Sequence, residues 1–185
     1  MLKAYKYRLY PNQEQIEYFS KAFGCVRFIY NIMLYDKINH YKLTKETLYN
    51  TPAQYKKDYP FLKEVDSLAL ANAQLNLESA YKKFFKEGSG FPNYKSKKNN
   101  YFSFTTNNQR KINKKGETTN TIEIIDSKYI KIPKLKTKIR LKMHRQLPKD
   151  SIIRSVTISK TPTNKYFISI LVEQEIQQLQ PLSTK

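Results

Sequence analysis

Residues 2 to 10 alternate between two faces, with Lys3, Tyr5, Tyr7 and Leu9 on one and Leu2, Ala4, Lys6, Arg8 and Tyr10 on the other. A period of two, rich in tyrosine, predicts a β-strand. Pro11-Asn12 ends it. Asn12 is placed to cap a helix, and Gln15 three residues on completes a capping box. Beyond this point apolar residues recur at spacings of three and four. Ile16, Phe19 and Phe23 form one buried stripe. Gly24 interrupts it, and Val26, Ile29, Tyr30, Met33 and Leu34 predict a second helix. A polar stretch with Pro52 and Pro60 leads to a third helix, which Asp66 or Ser67 caps and whose stripe is Leu70, Ala73, Leu77, Ala80, Tyr81 and Phe84.

Gly88-Ser89-Gly90-Phe91-Pro92 ends the helical texture by its punctuation. Alternation then returns, predicting strands at 121–125, 129–132, 138–143, 152–159 and 165–172. Thr161 to Lys165 is the turn that joins the last two. One strand, a block of helices and then about five strands predict an α+β fold. It is a small antiparallel β-barrel made of residues 1–11 and 99–175, with a helical bundle, 12–98, inserted after the first strand. Residues 176–185 form a polar tail.

Charge changes the picture most. Against 15 acidic residues stand 34 Lys and Arg, a formal charge of +19, yet 14% of residues are aromatic, too many for a solvated disordered polycation. A foldable chain of this charge calls for a polyanionic partner, nucleic acid before anionic lipid. No apolar run approaches the roughly 18 residues of a membrane helix. The start lacks the apolar core of a signal peptide, so the expected location is cytoplasmic. A single cysteine, Cys25, and two distant histidines, His40 and His144, offer no metal site, and four glycines contain no phosphate-cradling motif. No cofactor is expected. The acids sit on solvated faces; Glu123 and Asp126 are the nearest approach to a carboxylate pair, and they do not share a strand face.

Two clusters carry the binding chemistry. Between Lys128 and Arg145 lie eight basic residues and no acid. Within them Lys134, Lys136, Lys138, Arg140 and Lys142 are two apart, which in an extended chain puts all five on one face for phosphate contact. The second cluster runs from Phe91 through Tyr94, Lys95, Lys97 and Lys98 to Tyr101, Phe102 and Phe104, with cations interleaved with rings as a backbone-tracking, base-stacking groove requires. Thr105, Thr106, Asn107, Asn108 and Gln109 add short side chains suited to base edges.

The order of several motifs resembles the TnpB/OrfB family of transposon-associated proteins. These are Leu9-Tyr10-Pro11-Asn12-Gln13, Gly24 to Asn31, Glu64-Val65-Asp66, Leu77 to Phe85 and Gly90 to Lys95. The resemblance covers the chain to about Glu173. It implies a wedge-like barrel and a helical recognition lobe whose first helices, here 12–42, are termed a helix-turn-helix, followed in the family by a RuvC-like nuclease and a zinc ribbon. Because the chain stops about where that nuclease begins, the expectation is a nuclease-less form or fragment, not an enzyme. Family members bind a guide RNA and use it to select target DNA beside a short transposon-adjacent motif. The matching motif-reading positions are Ser67, Ala71, Thr105 and Thr106, with Gln74 on the same helix flank and Asn107 adjacent. The mostly apolar run from Val26 to Leu34 suits packing rather than groove insertion. Partners implied are guide RNA, target DNA and, under a split-gene reading, a separately encoded nuclease part. The alternative is a stand-alone basic DNA-binding regulator without guide RNA. A nuclease working through Glu123 and Asp126 is the third reading.

Overall fold

The structure is a computed structural model that describes residues 1–100, 102–112 and 118–174. Tyr101 and the 176–185 tail lie outside the described residues. Strand β1 (Leu2–Tyr10) is followed by helices α1 (Gln13–Thr44) and α2 (Ser67–Glu87). Then come β2 (Phe102–Asn107), β3 (Arg110–Ile112), β4 (Thr118–Asn120), β5 (Glu123–Ile125), β6 (Tyr129–Lys131), β7 (Ile139–Lys142), β8 (Ile152–Lys160) and β9 (Tyr166–Glu173). Single 3-10 turns stand at Gln54–Lys56, Pro60–Lys63 and Lys97–Asn99.

Helix α1 begins with the expected capping box. The Gln15 amide N–H donates to Asn12 Oδ1 at 2.9 Å, and Asn12 N–H donates to Gln15 Oε1 at 3.0 Å. Gln15 is itself buried, and its Nε2 donates to Thr137 Oγ1 (3.0 Å) and the Lys138 carbonyl (3.2 Å), stitching the helix start to the segment before β7. No turn follows at Gly24. The helix runs through it unbroken for 32 residues, about 48 Å at 1.5 Å per residue. The two apolar stripes are in phase across the glycine, so Phe19, Phe23, Tyr30, Met33 and Leu34 bury as one face. That burial, about 1.5–3 kcal/mol per large side chain, outweighs the roughly 1 kcal/mol that a mid-helix glycine costs.

Helix α2 buries Ala69, Leu70, Ala73 and Leu77 and ends at Gly88, whose left-handed backbone (φ 64°) places its N–H on the Lys83 carbonyl. Asp66 occupies the N-cap position without capping through its side chain. Its carboxylate instead accepts from the hydroxyl of Thr106 on β2, a residue buried to 1% exposure.

Seven strands form one antiparallel sheet in the order β2-β8-β9-β1-β7-β6-β5, and β3 pairs with β4 alone. The expected barrel is not closed. β2 and β5 are the two ends of the order and are not bonded to each other, leaving a curled half-barrel. The inner face carries Tyr5, Tyr7 and Leu9 of β1, Val156 and Ile158 of β8, and Ile168, Ile170 and Val172 of β9, all buried. Phe19 of α1 closes this core against Phe104 (centroids 6.1 Å) and Tyr166 (5.7 Å). The expected turn after β8 is present: Thr161 N–H donates to the Lys165 carbonyl at 2.8 Å. Strands β2, β3 and β4 had no counterpart among the expected strands.

Two outcomes test this description. A Cβ added at Gly24 meets nothing within 4 Å, so Gly24→Ala should stabilise by about 0.5–1 kcal/mol in urea unfolding, whereas a turn there would make it destabilising. Thr106→Val, which strands the Asp66 carboxylate, should cost about 1–3 kcal/mol, and Thr106→Ser should retain most of that.

Candidate nucleic-acid interface

On the outer face of the sheet the register lines up side chains from strands far apart in sequence. Ser103 of β2 lies opposite Ser159 of β8, which lies opposite Phe167 of β9. Phe167 lies opposite Arg8 of β1, and Arg8 opposite Lys142 of β7. A parallel row joins Thr105, Thr157, Ser169 and Lys6. Tyr10, Arg140 and Tyr129 make a third across β1, β7 and β6. One half of the face is therefore hydroxyl-bearing and the other alternates cations with rings.

The cations are held by those rings. Lys6 Nζ sits 4.9 Å from the Phe167 centroid, and the Arg8 guanidinium is 5.1 Å from Phe167 and 5.6 Å from Tyr10. Arg140 lies 5.7 Å from Tyr10, and Lys138 Nζ 4.4 Å from Tyr129. Such contacts contribute about 0.5–1 kcal/mol each at exposed sites; Lys6, Lys138 and Arg140 are exposed, whereas Arg8 is half-buried and its Nη1 is buried without a hydrogen-bond partner. On the hydroxyl half, Thr105 and Thr157 share a hydrogen bond of 2.8 Å. Among the described residues acids on these strands stand at the margins: Glu123 opposite Lys131, and Glu173 opposite Leu2 and paired with Arg154 at the bulge in β8.

The five basic residues from Lys134 to Lys142 do not form one extended row. Only Arg140 and Lys142 belong to β7. Lys134 has a left-handed backbone (φ 70°), which an extended run cannot contain, and its ammonium donates to the Lys63 carbonyl at 3.3 Å. Lys136 and Lys138 are exposed in the same connection, which the buried Leu135 anchors.

The second cluster divides as well. Phe104 is 4% exposed and packs on Phe19, Phe23 and Tyr18, so its ring belongs to the core. Phe102 is half-buried against Phe23. Asn108 is a structural clamp. Its carbonyl oxygen accepts from the Thr121 and Ile122 amides (3.1 and 3.0 Å), and its amide donates to the Ile153 carbonyl (3.0 Å). Lys95 is fixed by a reciprocal pair in which Asn31 Oδ1 accepts from its N–H (2.8 Å) and Asn31 Nδ2 donates to its carbonyl (3.0 Å). Its ammonium lies 4.1 Å from the Tyr30 centroid, and burial there lowers its pKa from the ordinary lysine value. Lys97 and Lys98 follow, exposed, in a 3-10 turn that Ser96 caps. Beneath them Phe23, Val26, Arg27, Lys95, Ser96, Phe102 and Ser103 line a cleft of about 220 Å³.

Of the expected motif-reading positions, Thr106 and Asn107 of β2 meet the start of α2, whereas Thr105 is bonded to Thr157 on the outer sheet face. Thr106 is spent on Asp66 and buried, so it has no free hydroxyl. Ser67 is exposed and accepts from Lys56 Nζ at 2.7 Å. Ala71 and Gln74 are half-buried, the latter donating to Glu78 at 2.7 Å. Asn107 is exposed and is reached by Asn72 Nδ2 at 3.4 Å, a residue the sequence reasoning passed over. Glu123 accepts from the Asn120 N–H at 3.3 Å, while Asp126 is exposed in the β5–β6 turn. Lys6, Arg8, Tyr10 and Phe167 were also passed over. The alternation of β1 placed three of them on one face, but only the register supplies their neighbours.

Residues 1–46 match a helix-turn-helix domain of the OrfB_IS605 type. In this chain the matched region is β1 and one continuous helix. A Streptomyces pristinaespiralis protein designated an RNA-guided DNA endonuclease is 28% identical over 181 residues, covering 94% of this chain and 42% of that protein. The Salmonella dublin virulence protein VsdF is 35% identical over 115 residues, 52% of this chain and 95% of VsdF. A solved structure, the Cas12f1–sgRNA–target DNA complex, aligns with a TM-score of 0.41 and 13% identity over 95% of this chain and 49% of that one. The chain thus spans about two fifths of the Streptomyces relative. The Asn31 clamp has its own test: Asn31→Ala should cost about 1–2 kcal/mol and speed limited proteolysis within residues 91–100, with cleavage elsewhere unchanged.

Proposed function

Because the chain belongs to the TnpB/OrfB family of transposon-associated proteins, we propose that it is a nucleic-acid-binding protein that holds a guide RNA and target DNA. The outer sheet face supplies the phosphate contacts. The observation that carries this is the row in which Arg8 and Lys142 stand side by side next to Phe167, continued by Arg140 between Tyr10 and Tyr129. Cations on adjacent strands lie roughly 5 Å apart, the strand spacing. They can thus meet successive phosphates of a strand laid across the sheet. Neutralising them releases counterions, a gain that a chain of charge +19 multiplies.

In this reading the two faces of the β2–α2 junction have separate tasks. Ser67, Gln74, Thr105 and Asn107 stand nearest to a duplex edge for the transposon-adjacent motif, while Thr106 holds the junction rigid through Asp66. Ala71 offers no hydrogen bond, so the contact there is apolar. Lys95, Lys97 and Lys98 extend the basic surface from the helical segment between β1 and β2. Cutting is a property carried by the name of the Streptomyces relative, of which this chain spans 42%; the proposal concerns binding.

Equilibrium binding of RNA and duplex DNA across a salt series tests the sheet face. Combined Arg8→Gln, Arg140→Gln and Lys142→Gln should weaken binding and lower the log–log salt slope by about two to three, at 0.7–0.9 per lost phosphate contact. Lys42→Gln with Lys45→Gln, at the far end of α1, should leave the slope within about one of the parent. A slope unchanged by the triple substitution would place the phosphates elsewhere. Sequencing of RNA that co-purifies with the chain separates the alternatives: one enriched transcript supports guide binding, and a specific DNA footprint by RNA-free protein supports a regulator.

A further inference from the structure

The last two turns of α2 and the connection after it carry rings that the core uses only in part: Tyr81 packs against it, while Phe85, Phe91 and Tyr94 are exposed. Tyr81 and Phe85, one turn apart, stack with centroids 6.2 Å apart and planes 14° from parallel. Phe91 folds back edge-on to Tyr81 (5.6 Å) and Phe84 (5.2 Å), and Phe84 meets Phe85 at 5.0 Å. The cluster braces itself yet stays open: Phe85 is 74% exposed, Tyr94 52% and Phe91 43%. Tyr81 and Phe84 are half-buried, whereas Phe85 and Phe91 leave much of their ring area open. Stability alone would favour polar residues at Phe85.

We propose that this end of α2 is a stacking surface for unpaired nucleobases, separate from the phosphate-binding sheet face. Charge decides the class of occupant. Lys82, Lys83 and Lys86 are exposed on the same two turns, and Lys95, Lys97 and Lys98 follow along the connection. The acids nearby are Glu87, beside Lys86, and Glu78, which accepts from Gln74 and faces Lys37. The exposed apolar groups are ring faces, which suit planar bases, and the cations around them suit the phosphates between bases. A duplex hides its base faces within the stack, so the occupant is single-stranded. Tyr94, adjacent to Lys95, extends the surface toward the Asn31 clamp, which fixes the connection in place.

This inference rests on the nucleic-acid reading above, and its test keeps the two apart. Affinity for a short unstructured RNA and for a duplex of equal length is measured for the full chain and for Phe85→Ala, Phe91→Ala and Phe85→Trp. Because Phe85 is so exposed, its truncation leaves the thermal midpoint in place, which the same samples verify. Phe85→Ala and Phe91→Ala should each weaken single-strand binding roughly tenfold with duplex binding and salt slope unchanged, and Phe85→Trp should match or exceed the parent. Single-strand affinity unmoved by either alanine, in a protein whose binding still falls with the sheet-face substitutions, would overturn the stacking surface and leave the wider reading standing. A parent chain that binds neither strand would overturn both.

Discussion

The register of β1 is the constraint on which the rest of the molecule depends. This strand is the middle one of seven, bonded to β9 along nearly its whole length and to β7 at its C-terminal end. Its odd residues, Tyr5, Tyr7 and Leu9, fill the core, and its even residues, Lys6, Arg8 and Tyr10, build the cationic surface. A slip of one residue would exchange the two sets, burying an ammonium and a guanidinium and exposing three large apolar groups. Core and cationic surface are thus two faces of a single pairing decision. No substitution that shifts the pairing can alter one face alone.

The surface is costly to the free protein. With +19 of formal charge, the compact state crowds cations that an unfolded chain would spread apart. Rings between the cations moderate this. Arg8 lies against both Phe167 and Tyr10, so that its charge meets π faces rather than another guanidinium. A bound polyanion removes the remainder. Anything that binds the folded state and not the unfolded one raises stability by mass action, so under the proposed function nucleic acid would be at once ligand and structural counterion.

Much of this was legible in the sequence where the signal is local. The alternation of β1, the Asn12–Gln15 capping box, the first half of the α2 stripe (Leu70, Ala73 and Leu77) with Gly88 behind the helix, and the turn from Thr161 to Lys165 appear as expected, while Ala80, Tyr81 and Phe84 are only half-buried. Gly24 misled, because punctuation was weighed above phase: Phe19, Phe23, Val26, Tyr30 and Met33 keep the spacing of a single helix across it. β2 was hidden by its company. Phe102, Phe104 and Thr106 alternate inward as a strand requires, yet the cations interleaved with these rings read as a backbone-tracking, base-stacking groove. The alternation itself separates them from the contact residues: Thr106 is bonded inside and Phe104 is core. The sheet-face rows were beyond reach for another reason. Arg8 and Lys142 become neighbours only through pairing across most of the chain, information that no window of sequence contains.

That same pairing sets an order of events at the ribosome. β1 is made first, and its longest partner, β9, is made near the end of the described chain, so Leu2 waits for Glu173. At about 5–20 residues per second this interval is roughly 10 to 30 seconds. Until β7 is made, Tyr5, Tyr7 and Leu9 have no sheet to enter, and Tyr5 and Tyr7 wait longer, for β9, while α1 and α2 can already pair. Lys3, Lys6 and Arg8, spaced along the waiting strand, carry like charges that oppose edge-to-edge pairing of nascent copies on neighbouring ribosomes, as gatekeeper residues do. The residues proposed to grip phosphate would then first serve by keeping identical strands apart.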